Sequence, residues 1–208
     1  NYSYLSKIRE VVKKHKRKYD FVIVCGGGSL ARKYISALEK DGKNKKLWSF
    51  AGIAATRSNA KFVNYFFGKE PKKGIPTSVG QIKQRLKDEG IVITGALQYG
   101  KNSTSDSDSA KIAREIKAEF VNLTDVKGLY DKNPKKSKNA KLIKEITWKD
   151  FDKKARDLSY KPGQHFVLDQ TASEIIKKSK IPTYIIQNPS DLDKFLKGEK
   201  FTGTIVRG

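Results

Sequence analysis

The chain has no methionine, one cysteine, two histidines and two tryptophans in 208 residues. A single cysteine excludes a disulfide framework, and a reducing, cytoplasmic setting is the expectation. Neither histidine lies near Cys25 in sequence. Cys25 therefore reads as a small buried hydrophobe rather than a nucleophile, and no protein-held metal is expected. No apolar run approaches the ~18 residues of a membrane span. The N-terminus is polar and basic, without the apolar core of a signal peptide. The first residue is Asn1, so a truncated front is expected; small internal gaps at methionine positions would equally account for the missing residue type.

Acids are also scarce. Asp plus Glu is 22 against 44 Lys plus Arg, for a formal charge of +22. That biases the chain toward anionic partners without naming one. The lysines cluster at 13–18 and 132–144, but aromatics do not interleave with them as on a stacking platform for single strands. A solvated lysine-rich surface accounts for them better than a nucleic-acid footprint, and His15, inside the first run, reads as a surface residue.

What is present is a patterned globular chain with 37% hydrophobic residues. The most informative stretch is Val22-Ile23-Val24-Cys25 followed by Gly26-Gly27-Gly28. An apolar strand runs into a glycine turn. Leu30, Ala31, Tyr34, Ile35 and Leu38 then recur on one helical face. This order brings backbone N–H groups to a phosphate at a helix N-terminus, and Arg32 can add a cationic grip. A tight turn that merely needs positive φ explains the same glycines.

Elsewhere, apolar runs predict strands at 91–94, 120–123, 183–186 and 203–206. Helices are predicted at 3–17, 29–38, 78–88, about 110–116 and 169–178. Residues 47–67 carry only Arg57 and Lys61 as charges and predict a long, largely buried helix. Ser78 with Gln81, Thr147 with Asp150 and Ser190 with Asp193 are spaced as capping boxes. Strands that alternate with helices and lack internal alternation call for a mainly parallel α/β sheet covered on both faces. Sites in such folds lie at strand carboxyl ends, here loops 26–29, 95–105 and 124–134. Asp106 and Asp108 sit where helix capping alone explains either one. Trp48 and Trp148 read as packing residues, and His165 as a loop residue rather than a base.

Four segments taken together carry a resemblance. They are Gly26-Gly27-Gly28-Ser29-Leu30-Ala31-Arg32, Gly52-Ile53-Ala54-Ala55-Thr56-Arg57-Ser58-Asn59-Ala60, Thr124 to Pro134 in the pattern T-x-V-x-G-x-Y-x-x-x-P, and Leu168-Asp169-Gln170-Thr171-Ala172-Ser173. In this order they resemble the amino-acid-kinase superfamily, most of all archaeal-type UMP kinases. The resemblance implies a three-layer αβα sandwich with a mainly parallel sheet, one domain over 1–208. It assigns acceptor binding to about 1–110 and ATP binding to about 111–208.

It further implies ATP-dependent phosphorylation of UMP with Mg²⁺, in a hexamer built as a trimer of dimers. The implied acceptor contacts are Gly27, Ser49, Ala96, Leu97, Thr104 and Ser105, with Asp106 organising cations around the transferred group. The implied ATP contacts are Gly28, Arg32, Thr124, Tyr130 and Asn133. Ser49 and Asn133 each stand where the family often has Asp, and loop 96–105 is longer than usual. The same fold acting on another phosphate acceptor such as isopentenyl phosphate, or a non-catalytic nucleotide- or RNA-binding protein, are the alternatives.

Overall fold

The structure is a computed structural model that describes residues 2–100, 103–157 and 167–208. His165 and the loop at 159–165 lie outside the described residues. The chain divides into two compact units, Lys16–Asp108 and Ser109–Gly208 with Asn1–His15. Among the described residues no helix is long and apolar enough to cross a membrane.

In the Lys16–Asp108 unit, β1 (Phe21–Val24) pairs in parallel with β2 (Ile91–Thr94), Phe21 opposite Ile91. Every residue of β2 is buried, which is what a continuous apolar run requires. Helices α2 (Gly28–Lys40), α3 (Lys45–Phe66) and α4 (Val79–Glu89) connect them. Local chemistry sets their ends. The Asn44 side chain accepts from the Leu47 N–H at 3.1 Å to start α3. The Ser78 Oγ accepts from the Gln81 N–H at 3.3 Å to start α4, and Gly90 ends it at φ 63°. After β2, α5 (Ser105–Ile116) begins.

Helix α3 corrects the expectation of a largely buried helix. Only Ala55, Thr56, Ala60 and Asn64 are buried. Leu47, Phe50, Phe62 and Tyr65 are exposed and fall with Ala54, Ser58 and Lys61 along one stripe at helical spacing. Apolar composition gave no information on which face was covered.

In the other unit, β3 (Phe120–Leu123), β5 (Thr183–Ile186), β6 (Gly203–Val206) and β4 (Glu145–Ile146) form a sheet in that order. β3 with β5 and β4 with β6 are parallel, and β5 with β6 is antiparallel. Helices α6 (Trp148–Asp157), α7 (Gln170–Ser179) and α8 (Pro189–Lys197) complete it. The core gathers Leu129, Ile146, Phe151, Leu168, Ile176, Ile185 and Val206. Buried Asp152 ties α6 to α7: it accepts from the Ser173 Oγ at 3.0 Å and the Arg156 Nε at 3.1 Å, and from Lys177. Burial opposes its charge, but the bonds from Lys177, Arg156 and Ser173 prevail and hold its pKa below the usual carboxylate value.

Helix α1 (Tyr2–His15), read as the start of the acceptor part, packs instead on α8 in this second unit. The Tyr4 Oη donates to the Gln187 carbonyl at 2.9 Å. His15 is buried, not a surface residue, and lies 2.7 Å from an Asp193 carboxylate oxygen. Asp193 is therefore no capping residue. Asn188 and Pro189 open α8, and Asp193 also meets Lys14 at 2.9 Å and Lys197 at 3.1 Å.

Candidate functional site

The carboxyl ends of β1 and β2 stay together past the strands: the Cys25 N–H donates to the Thr94 carbonyl at 2.7 Å. Gly27 and Gly28 of the turn serve different structural needs. A Cβ on Gly27 would lie 2.4 Å from the Ala31 Cβ, so Gly27 is there for space. Gly28 has open space around it and φ +56°, so it is there for conformation.

Helix α3 fixes both strand ends. The Asn59 Nδ2 donates to the Gly26 carbonyl at 2.7 Å. The Thr56 Oγ1 accepts from the Ala96 N–H at 2.9 Å. The Arg57 Nε donates to the Ala96 carbonyl at 3.3 Å, and its terminal nitrogen donates to the Leu97 carbonyl. Gly95 permits this: a Cβ there would sit 2.7 Å from the Thr56 carbonyl carbon and the Arg57 backbone nitrogen. These α3 residues belong to a segment quoted above only for resemblance; nothing in the sequence pairs them with 26 and 95–97.

Asp108 secures the other side. Its oxygens accept from the Leu97 N–H at 2.8 Å and the Ser103 Oγ at 2.7 Å. Thr104 and Ser107 cap the start of α5, with the Ser107 N–H donating to the Thr104 Oγ1 at 3.1 Å. A Cβ on Gly26 would lie 3.7 Å from the Ser105 Oγ, so the glycine corner and the start of α5 adjoin.

Between these elements lies a cleft of about 510 Å³. Of the predicted acceptor residues, Gly27, Ser49, Ala96, Thr104 and Ser105 line it together. Leu97 lies behind it, buried, with its N–H on Asp108. Asp108 itself lines the cleft, whereas Asp106, half-buried in the first turn of α5, is not among the lining residues. Lys45 is the one cation among the described residues that line it. Trp48 also lines it, and its indole N–H is shut off from solvent without an acceptor. A buried donor left unmade costs about 1–3 kcal/mol.

A profile of the Amino acid kinase family matches residues 3–187. The chain belongs to the amino acid kinase family. It is 33% identical over 205 residues to a uridylate kinase of Archaeoglobus fulgidus, covering 96% of this chain and 92% of that one. It is 30% identical over 197 residues to a uridylate kinase of Hyperthermus butylicus, covering 93% and 85%. The crystal structure of uridylate kinase from Archaeoglobus fulgidus superposes with TM-score 0.86 at 28% identity, over 99% of this chain and 93% of that one. UMP kinase from Bacillus anthracis shares the fold at TM-score 0.80 and 18% identity, over 100% and 87%. The mixed, mainly parallel α/β architecture is that of the amino-acid-kinase fold.

The predicted ATP residues of this family member fall in three places. Gly28 is exposed at the start of α2. Arg32 lines a separate shallow depression on α2 with Ser29, Lys33, Ser36, Ala37 and Lys40. Thr124, Tyr130 and Asn133 belong to the Ser109–Gly208 unit. There the Thr124 N–H extends the β3–β5 ladder to the Ile186 carbonyl at 3.0 Å. Tyr130 bridges Leu142, and the Asn133 Oδ1 accepts from the Lys135 N–H at 2.9 Å. Among the described residues no three His, Cys, Asp or Glu side chains converge on a metal position.

Proposed function

We propose that this chain transfers the γ-phosphoryl group of ATP to UMP, giving UDP and ADP. The observation that carries the reading is the match to proteins named uridylate kinase along nearly all of the chain. The residue types suit the chemistry. Phosphoryl transfer asks the protein mainly for in-line positioning and for N–H groups, hydroxyls or cations around the moving oxygens. The Gly27 backbone and the Thr104 and Ser105 hydroxyls supply such donors to the acceptor phosphate, and Ser49, Ala96 and Leu97 shape the rest of its site. Asp106 holds the cationic groups in place; Gly28, Arg32, Thr124, Tyr130 and Asn133 receive ATP. Acceptor binding is the work of the unit with the cleft, which also holds Gly28 and Arg32 of the ATP residues, while Thr124, Tyr130 and Asn133 belong to the other unit.

Mg²⁺ suits this donor set as a companion of the nucleotide. It keeps several waters and needs only one or two carboxylates besides substrate phosphates. Both oxygens of the carboxylate lining the cleft, Asp108, already accept hydrogen bonds, so the ion would ride on ATP and offset its charge. A homo-oligomer, a hexamer built as a trimer of dimers, is supported by the exposed stripe of Leu47, Phe50, Phe62 and Tyr65 on α3. The setting is the cytoplasm, in pyrimidine nucleotide synthesis.

The test is a coupled ADP-release assay with ATP, Mg²⁺ and a panel of UMP, CMP and isopentenyl phosphate. Turnover is expected with UMP above the others. No turnover with UMP would remove the reading, and turnover with isopentenyl phosphate alone would replace it with the same fold on another acceptor.

A further inference from the structure

We infer that Lys45 and Trp48 read the base of the acceptor nucleotide through its carbonyl oxygens, and so select UMP over CMP. This rests on the reading above. Both side chains line the cleft from the first turn of α3. Both are donors only. The Trp48 indole N–H meets no acceptor, and the Lys45 ammonium has no hydrogen bond or ion pair among the described residues.

Their place along the cleft sets what they meet. The Gly27 corner lies beside Gly52, whose carbonyl would be 3.7 Å from a Cβ on Gly27. Trp48 is one turn before Gly52 and Lys45 nearly two, roughly 6 and 10 Å along the helix axis. With the phosphate at the glycine corner, the nucleoside extends toward these two donors. Uracil offers two carbonyl oxygens. Cytosine offers one, and its amino group is a donor that would face a donor. Selection then follows the rule that a site built for a hydrogen bond rejects the analogue that leaves a buried group unpaired. The indole N–H is covered, so it reaches the base by a small turn of the ring, a side-chain change common on binding.

The experiment uses the full chain. Trp148→Phe leaves Trp48 the only indole of the two in the sequence, and UMP is expected to shift its fluorescence where CMP does so only at higher concentration. Trp48→Phe and Lys45→Met are each expected to lower kcat/KM for UMP about tenfold, the worth of one hydrogen bond. In the variant that removes the donor facing the 4-carbonyl, activity with CMP should stay within about twofold; in the other, CMP should fall along with UMP. KM for ATP should not move in either. Lys45 is exposed, so Lys45→Met keeps the test decisive should Trp48→Phe fold poorly. Wild-type turnover of UMP with an unchanged UMP to CMP ratio in both variants would overturn the inference and leave the kinase reading standing. Equal use of CMP by the wild type would do the same. Wild-type protein that neither turns over UMP nor changes its fluorescence would overturn both.

Discussion

Asp108 accepts the backbone N–H of Leu97 at 2.8 Å, across eleven positions of chain. With the bond from Ser103 at 2.7 Å, one buried carboxylate ties both ends of the cleft wall. Asp108→Ala leaves the Leu97 N–H buried and unpaired. A loss of about 1–3 kcal/mol is expected, read by urea denaturation. Asp108→Asn keeps one acceptor oxygen and should recover part of it. In both, KM for the acceptor should rise more than KM for ATP; equal changes in the two would show that Asp108 serves stability alone.

Gly95 and Gly28 are expected to fail differently on substitution. A Cβ at Gly95 meets backbone at 2.7 Å, and backbone cannot swing away as a side-chain tip can. Gly95→Ala should cost about 3 kcal/mol, the upper end for overpacking. Gly28→Ala meets nothing within 4 Å but is held at φ +56°, so the cost is the left-handed backbone alone, about 1–2 kcal/mol. Midpoints of chemical denaturation for the two variants, side by side, check the order.

Stability should fall at acid pH through Asp193. Hydrogen bonds from Lys14 first, then His15 and Lys197, hold its pKa well below the usual carboxylate value. A depressed folded pKa stabilises above the unfolded value of about 3.9 and is lost as pH falls toward the folded one. Unfolding free energies from pH 6 down to pH 2 should therefore decline below about pH 4. Asp193→Asn should have a shallower acid limb and a lower plateau near neutrality. Identical slopes for the two proteins would remove Asp193 as a cause.

Cys25 should resist thiol reagents in the folded state. Burial pushes its pKa up to about 12, so almost no thiolate exists near neutral pH, and the thiolate is the nucleophile. Titration with a disulfide reagent at pH 8 should be slow until denaturant is added. Rapid labelling of the native protein would contradict this.

The elements most legible in the sequence were those set by local chemistry. The apolar runs at 91–94, 120–123, 183–186 and 203–206 are strands over those residues; the first, buried at every position, shows why, since a strand covered on both faces reads as a continuous apolar run. The Ser78 and Thr147 caps open α4 and α6, since a cap is a contact three residues long. Strand β4, two residues long, carried too short a pattern to see, and no local signal foretold that β6 would run antiparallel to β5.

The sequence by itself determined where the strands and capped helices lie, that a glycine corner follows β1, and which family motifs the chain carries. Only the tertiary structure decided that His15 pairs with Asp193 across 178 positions, that α3 turns an apolar stripe outward, that Thr56 and Arg57 hold Ala96, and that Asp108 lines the cleft where Asp106 does not. The physical reason is range. Periodicity and capping act within a few residues, whereas a side chain's partner depends on which distant segment the packed backbone brings within hydrogen-bond reach.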